Sequence, residues 1–137
     1  ALHDHIAGRD DVRGGVATTG YCMGGNVSVR TATIFGNRIA ATAAFHPGGL
    51  VTDQPDSPHL RAKQIKSRLY LGPATGDLPA EAEAKLRAEL DAGHVRFEIE
   101  HYDAGHGYAV DDSPRYDQAA AERHFTALTR LLSETLR

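Results

Sequence analysis

Short continuous apolar runs alternate along the chain with longer stretches in which apolar residues recur every three or four positions. Val16-Ala17-Thr18-Thr19-Gly20-Tyr21 is apolar or β-branched, the composition of a strand buried on both faces. It turns through Cys22-Met23-Gly24-Gly25 into a helical stretch over 25–36, which Gly36-Asn37 stops. Residues 39–45 form a second apolar run, ended by the turn chemistry of His46-Pro47-Gly48-Gly49. A polar loop with Pro55 and Pro58 leads through a weakly helical stretch near 60–65 to a third strand over 67–72. Pro79 suits the first turn of a helix over 80–92, with Ala82, Leu86 and Leu90 on one face and Gly93 as its stop. Val95, Phe97 and Ile99 alternate with Arg96, Glu98 and Glu100, which predicts a half-exposed strand over 95–102 near a sheet edge. Ser113-Pro114 opens a last helix over 115–136, with Phe125, Leu128, Leu132 and Leu136 on its apolar stripe. A helix over 1–6 is the weakest element of the pattern. The order β-α-β-α-β-α-β-α predicts an α/β fold: a three-layer, mainly parallel sheet with crossover helices. A flavodoxin-like module would fit the same pattern.

Composition narrows the picture. No repeat or linker divides the 137 residues, so one domain over 1–137 is expected. The 15 Lys and Arg against 18 Asp and Glu leave a net charge of −3, which argues against nucleic acid or an anionic membrane as partner. One cysteine excludes an internal disulfide framework and a cysteine-built zinc site. No apolar run approaches the roughly 18 residues of a membrane span, and no signal-peptide pattern opens the chain. A cytoplasmic location is the expectation. Residue 1 is Ala and the only methionine is Met23. Either an initiator was removed or the chain begins within a longer gene product.

Gly20-Tyr21-Cys22-Met23-Gly24-Gly25 carries the strongest chemical signal. A nucleophile between a strand and a helix must stand on a tight turn. Such a turn crowds the positions two before and two after it, here Gly20 and Gly24. The helix that follows aims its free N–H groups at the sulfur, which favours the reactive thiolate. The Met23 N–H is placed to hold an oxyanion as charge develops. The alternative is a buried structural cysteine beside a phosphate-binding glycine turn. These glycines fit neither G-x-G-x-x-G nor the P-loop, and no Lys follows.

With an Asp in the loop after the third strand and Gly105-His106-Gly107-Tyr108 after the last, this stretch resembles the dienelactone hydrolase family of the α/β-hydrolase superfamily. The resemblance runs from about residue 16 to 136 and covers only the second half of the family's fold. It implies a Cys-Asp-His triad, with Cys22 the nucleophile, Asp77 the acid and His106 the base. It also implies that a second oxyanion donor, an acidic residue interacting with the Cys and a carboxylate-binding arginine belong to strands lacking here. Where the best-known members carry a second arginine just after the histidine, this chain has Tyr108-Ala109-Val110. That weakens the expectation of a dienelactone-type carboxylate substrate.

The residues themselves agree with the superfamily order of nucleophile, acid and histidine, each just past a predicted strand. Asp77 has a second reading as the cap of the helix that Pro79 begins. Asp103, Asp111 and Asp112 are its rivals as acid, and His106 could be an ordinary loop histidine. His3-Asp4-His5 reads as a solvated terminus, His101 has no evident partner, and Arg30 is a solvated helix charge by default. Tyr21, His46 and Tyr108 are pocket candidates, although Tyr21 is equally explained by packing and His46 by the turn before Pro47.

The expected function is hydrolysis of a small ester or lactone through an acyl-cysteine, without metal or organic cofactor. The alternative is a non-catalytic fragment or assembly subunit that keeps the fold. The strand over 16–21 lacks the neighbours it has in the family and carries no Lys or Pro to guard an open edge. The chain is therefore expected to be a homo-oligomer or to complete itself with the remainder of a longer chain.

Overall fold

Apolar strands need cover on both faces, and this chain supplies it by crossing back over the sheet after each strand. The computed structural model describes residues 2–12 and 14–136. Its elements are α1 (Leu2–Ala7), β1 (Val16–Tyr21), α2 (Met23–Phe35), β2 (Ile39–Phe45), β3 (Arg68–Gly72), α3 (Ala80–Ala92), β4 (Phe97–Ile99) and α4 (Gln118–Thr135). Short 3-10 segments lie at Gly36–Arg38 and Pro58–Gln64, the second covering the weakly helical stretch of the sequence. The strands run parallel in the order β1-β2-β3-β4. Tyr21 is level with Phe45, and Phe45 with Gly72. The loops leaving the first three strands therefore open side by side on one edge of the sheet, where α/β folds place ligands.

Two apolar layers hold the sheet. On one face Val29 and Ala32 of α2 and Leu86 and Leu90 of α3 pack against Ala44, Leu69 and Leu71. On the other, Ala120, Ala127 and Leu131 of α4 pack with Ala41, Ala43, Phe45 and Tyr70. The Ser28 hydroxyl also donates to Thr18 Oγ1 at 3.0 Å, which pins α2 to β1.

Four expectations need correction. β1 is not buried on both faces: only Gly20 is fully buried and Thr19 is exposed. β2 is its one strand neighbour among the described residues, and α4 packs mainly over β2 and β3, touching β1 through Tyr21. The last strand is three residues, not eight. Beyond Ile99 the chain still bonds the β3 side, Glu100 N–H to Leu71 O and Tyr102 N–H to Pro73 O, and Ala74 bridges Tyr102 in parallel, so the pairing continues as an isolated bridge rather than a regular strand. The last helix starts at Gln118, because Asp117 accepts from the Ala120 N–H at 2.8 Å and outcompetes Ser113-Pro114 as its cap. Its buried face is Ala120, His124, Ala127 and Leu131, while Phe125 is 59% exposed. The buried His124 rotates the inward stripe by about one residue from the one that leucine spacing suggests. The opening helix is present as Leu2–Ala7; Ala1 lies outside the described residues.

Gly93 follows α3 for a reason of packing. Its φ is −85° and the left-handed residue is His94, at 52°. A Cβ at Gly93 would lie 2.5 Å from the Lys63 backbone, so the glycine lets the segment Pro58–Gln64 dock against α3.

Candidate active site

One residue separates the end of β1 from the start of α2, so Cys22 alone must reverse the chain. It does so at φ 54°, ψ −123°, a conformation L side chains adopt at a cost of about 1–3 kcal/mol. Its N–H donates to Phe45 O at 3.1 Å and its carbonyl accepts the Gly25 N–H at 3.0 Å, which fixes the turn from both sides. The thiol stands exposed.

The glycine requirement falls differently from the sequence expectation. A Cβ at Gly20 would sit 2.0 Å from Gly24 O, an impossible contact. At Gly24 a Cβ would meet nothing within 4 Å. The second crowded position is Gly25, whose Cβ would lie 3.1 Å from that of Pro47. What the turn needs opposite Gly20 is the Gly24 backbone, not a missing side chain there. Gly20→Ala is therefore expected to cost about 3 kcal/mol or more by forced repacking. Gly24→Ala should gain about 0.5–1 kcal/mol, as Gly-to-Ala does in a helix. Urea unfolding of both variants checks the pair.

The loops after β3 and β4 bring two further groups to the sulfur. His106 Nε2 lies 3.0 Å from Cys22 Sγ, and His106 Nδ1 lies 2.8 Å from Asp77 Oδ1. The carboxylate can only accept, so Nδ1 carries the proton and Nε2 faces the thiol. The other oxygen of Asp77, Oδ2, accepts the Ala74 N–H at 3.0 Å, which orients the carboxylate. Asp77 does not cap α3, whose N-cap is Pro79 without a side-chain bond. The structure thus brings Cys22, Asp77 and His106 together across 84 residues of chain.

Electrostatics follow the geometry. The hydrogen bond with His106 holds the Cys22 thiol below its ordinary range, helped by the Met23 N–H and opposed by burial and the Asp77 charge. His106 is raised, first by its bond with Cys22 and then by Asp77. Opposite shifts on the two partners favour a thiolate–imidazolium pair.

The pocket candidates separate. His46 and Tyr108 are fully buried, so neither lines an open pocket in this chain. The Tyr108 hydroxyl donates to Gly72 O at 3.0 Å, which ties the His106 loop to the end of β3. Tyr21 is half-buried against Phe45, its hydroxyl 3.0 Å from His124 Nε2. His124 Nδ1 donates to Ala121 O, so Nε2 accepts and the tyrosine donates. Of the weaker sequence candidates, His101 bonds Glu83 at 2.6 Å, Arg30 pairs with Asp56, and His3 and Asp4 contact Arg38. The sequence reading missed Asn26, whose amide donates to Gly48 O and Gly49 O and fastens α2 to the loop after β2. An Asn in a first helical turn facing a Gly-Gly loop was the available signal. Among the described residues no group of three or more His, Cys, Asp or Glu gathers as a metal site would require.

Comparison with known proteins shows the family and the fold. The model of the dienelactone hydrolase family matches residues 3–136. A Salmonella typhi protein bearing the name carboxymethylenebutenolidase is 32% identical, over 87% of this chain and 47% of its own length. The chain spans about half the length of such relatives. A dienelactone hydrolase-like promiscuous phosphotriesterase from metagenomic libraries superposes on all of this chain and 59% of its own, at 25% identity and TM-score 0.78. A Klebsiella pneumoniae structure described as a dienelactone hydrolase covers 84% of this chain and 50% of its own, at 19% identity and TM-score 0.74, a likeness of fold.

Proposed function

The chain belongs to the dienelactone hydrolase family, and on that premise we propose that it cleaves a small ester or lactone through an acyl intermediate on Cys22. The observation that carries the reading is the continuous chain of hydrogen-bond distances from Cys22 Sγ through His106 to Asp77. His106 Nε2 takes the thiol proton and the sulfur attacks the substrate carbonyl carbon. The Met23 N–H donates to the oxyanion that forms. Collapse expels the alkoxide, which takes the proton from His106; in a lactone it stays tethered to the acyl group. A water then attacks the thioester, His106 takes its proton, and the thiol and the acid are released. Asp77 holds the imidazole in the tautomer this sequence needs.

Cys22→Ser and Cys22→Ala should abolish turnover of p-nitrophenyl acetate, while the wild-type chain gains one acetyl group on Cys22 by mass spectrometry. A chain that hydrolyses the ester equally well with Ala at position 22 would sink the reading.

The second reading, an assembly piece, has its own support in the uncovered side of β1. Next to it Met23, Val27 and Ile34 of α2 are 76%, 52% and 69% exposed. A groove of about 140 Å³ lined by Leu2, Ile6, Val16, Phe35 and Ile39 opens at the far end of β1 from Cys22. We propose that this side is covered in the working protein, by a second copy or by the remainder of a longer chain. The two readings are compatible: a site of this kind can be catalytic and still depend on a neighbour.

A further inference from the structure

His46 breaks two rules at once. Its φ is 37°, in the left-handed region that a β-carbon disfavours. Its ring is fully buried, and neither ring nitrogen has a hydrogen-bond partner; no other described side chain has a buried polar atom so placed. Buried polar atoms are nearly always paired, and departures concentrate where function over-rides stability. The ring lies directly beside the site. Its centroid is 5.2 Å from that of His106 with the planes at 68°, and 5.1 Å from that of Tyr108 with the planes at 78°. Tyr21 closes a third side at 5.9 Å.

His106 must serve two partners at opposite ring nitrogens, and both bonds fail if the imidazole plane swings. Asp77 holds one end and Cys22 the other, but two bonds along one axis restrain rotation about that axis least. A flat ring packed nearly perpendicular against the imidazole stops that rotation. We propose that His46 is a positioning residue: its ring braces His106 in the plane that satisfies Asp77 and Cys22 together. The inference rests on the acyl-cysteine reading of the site.

The backbone explains how the brace is itself held. The His46 N–H donates to Gly72 O at 2.8 Å, tying it to the end of β3. The titratable groups around its ring are His106 and Asp77 from the site loops, Tyr108 below, Tyr21 from β1 and His124 from α4. Burial and the neighbouring His106 both hold His46 below the ordinary histidine range. The brace therefore stays uncharged while His106 carries the proton of the ion pair. The contact is one of shape, and the two ring nitrogens are a cost to it.

That distinction sets the experiment. Iodoacetamide alkylation of Cys22 is followed from about pH 5.5 to 9.5 in the wild-type chain and in His46→Leu, His46→Ala and His46→Phe, with folding checked by circular dichroism. Leu and Ala should slow alkylation at pH 6.5 about tenfold, the effect of moving the thiol by one pH unit. Near pH 9.5, where an unaided thiol is ionised, both should rejoin the wild-type rate. Phe, which keeps a flat ring and removes the unpaired nitrogens, should stay within about threefold of wild type throughout and unfold at a higher temperature. A purely structural role would lower the melting temperature of Leu and Ala but leave the profile of the folded protein unmoved, and that result overturns the proposal. If Leu and Ala do not fold, Phe decides alone: a tenfold loss at pH 6.5 overturns the brace, and retention supports it. A wild-type chain with the profile of an ordinary thiol would instead remove the acyl-cysteine reading on which the brace depends.

Discussion

Replacing His106 by Ala should slow alkylation of Cys22 at pH 6.5 by up to about 10²-fold. The wild-type thiol is lowered chiefly by its bond with His106. Take the imidazole away and its largest lowering influence is gone, leaving the Met23 N–H to lower it against burial and the negative charge of Asp77, which raise it. An unaided thiol of pKa about 8.5 is only about 1% ionised at pH 6.5. The sign follows from the thiolate being the nucleophile: the rate climbs as pH rises through the Cys22 value. In the wild type that climb comes below the ordinary thiol range, and in His106→Ala at a higher pH than in the wild type. The imidazolium has the opposite sense. It persists above the ordinary histidine range and is lost as pH rises through the raised value. The ion pair is thus fullest between the two, and ester turnover, which needs a base on His106, depends on the same window. Asp77→Asn should reduce turnover by about 10³–10⁴ through the wrong tautomer. It should slow alkylation less than His106→Ala, because Asp77 works through the imidazole. Equal profiles for wild type and His106→Ala would mean that the 3.0 Å contact has no chemical consequence.

The second large effect concerns the open side of β1. Where a second copy is what covers it, light scattering of the purified chain should report a particle heavier than the 14.7 kDa of one copy. The double variant Val27→Lys, Ile34→Lys should shift it towards that mass, since charge on an apolar contact surface opposes association. Neither side chain belongs to the site, so Cys22 should alkylate in the variant as in the wild type. Catalysis is expected to be weak until a neighbour is present. Met23 N–H is the one oxyanion donor proposed in this chain, and lacking a second such donor typically costs about 10²–10³ in turnover. A monodisperse 14.7 kDa species with vigorous esterase activity would refute both expectations.

The sequence was most legible where local chemistry and tertiary packing agree. The spans of β1, β2 and α3 are as read from the residues, because their apolar periods are unbroken and their ends carry strong turn residues. Legibility failed where a distant contact decides. Alternation through Glu100 lengthened the last strand, whereas the regular ladder stops at Ile99 and resumes only as the bridge of Tyr102 with Ala74. Leucine spacing set the phase of α4, but His124, polar by type, is buried where it meets the Tyr21 hydroxyl of β1, with its other ring nitrogen satisfied within the helix by Ala121 O. Gly24 looked essential by analogy with any tight elbow, whereas Gly25 meets Pro47 from a loop that sequence order does not place beside it. The proximity of Cys22, Asp77 and His106 was anticipated only through order along the chain and family resemblance; periodicity alone says nothing of which loops meet. His46 was legible as a turn residue and as a pocket candidate, but not its full burial against His106, 60 residues further along the chain.

The strict strand order carries a consequence for the time at which the site comes into being. Each new strand pairs with the one made just before it, so the sheet can grow in the direction of synthesis. The Cys22 turn needs only β1, α2 and β2, whereas His106 arrives 84 residues after the sulfur. Until the loop after β4 has been made, the nascent chain therefore carries Cys22 without its His106 partner. The sulfur gains that contact in one step, when the loop docks beside the turn it follows by 84 residues.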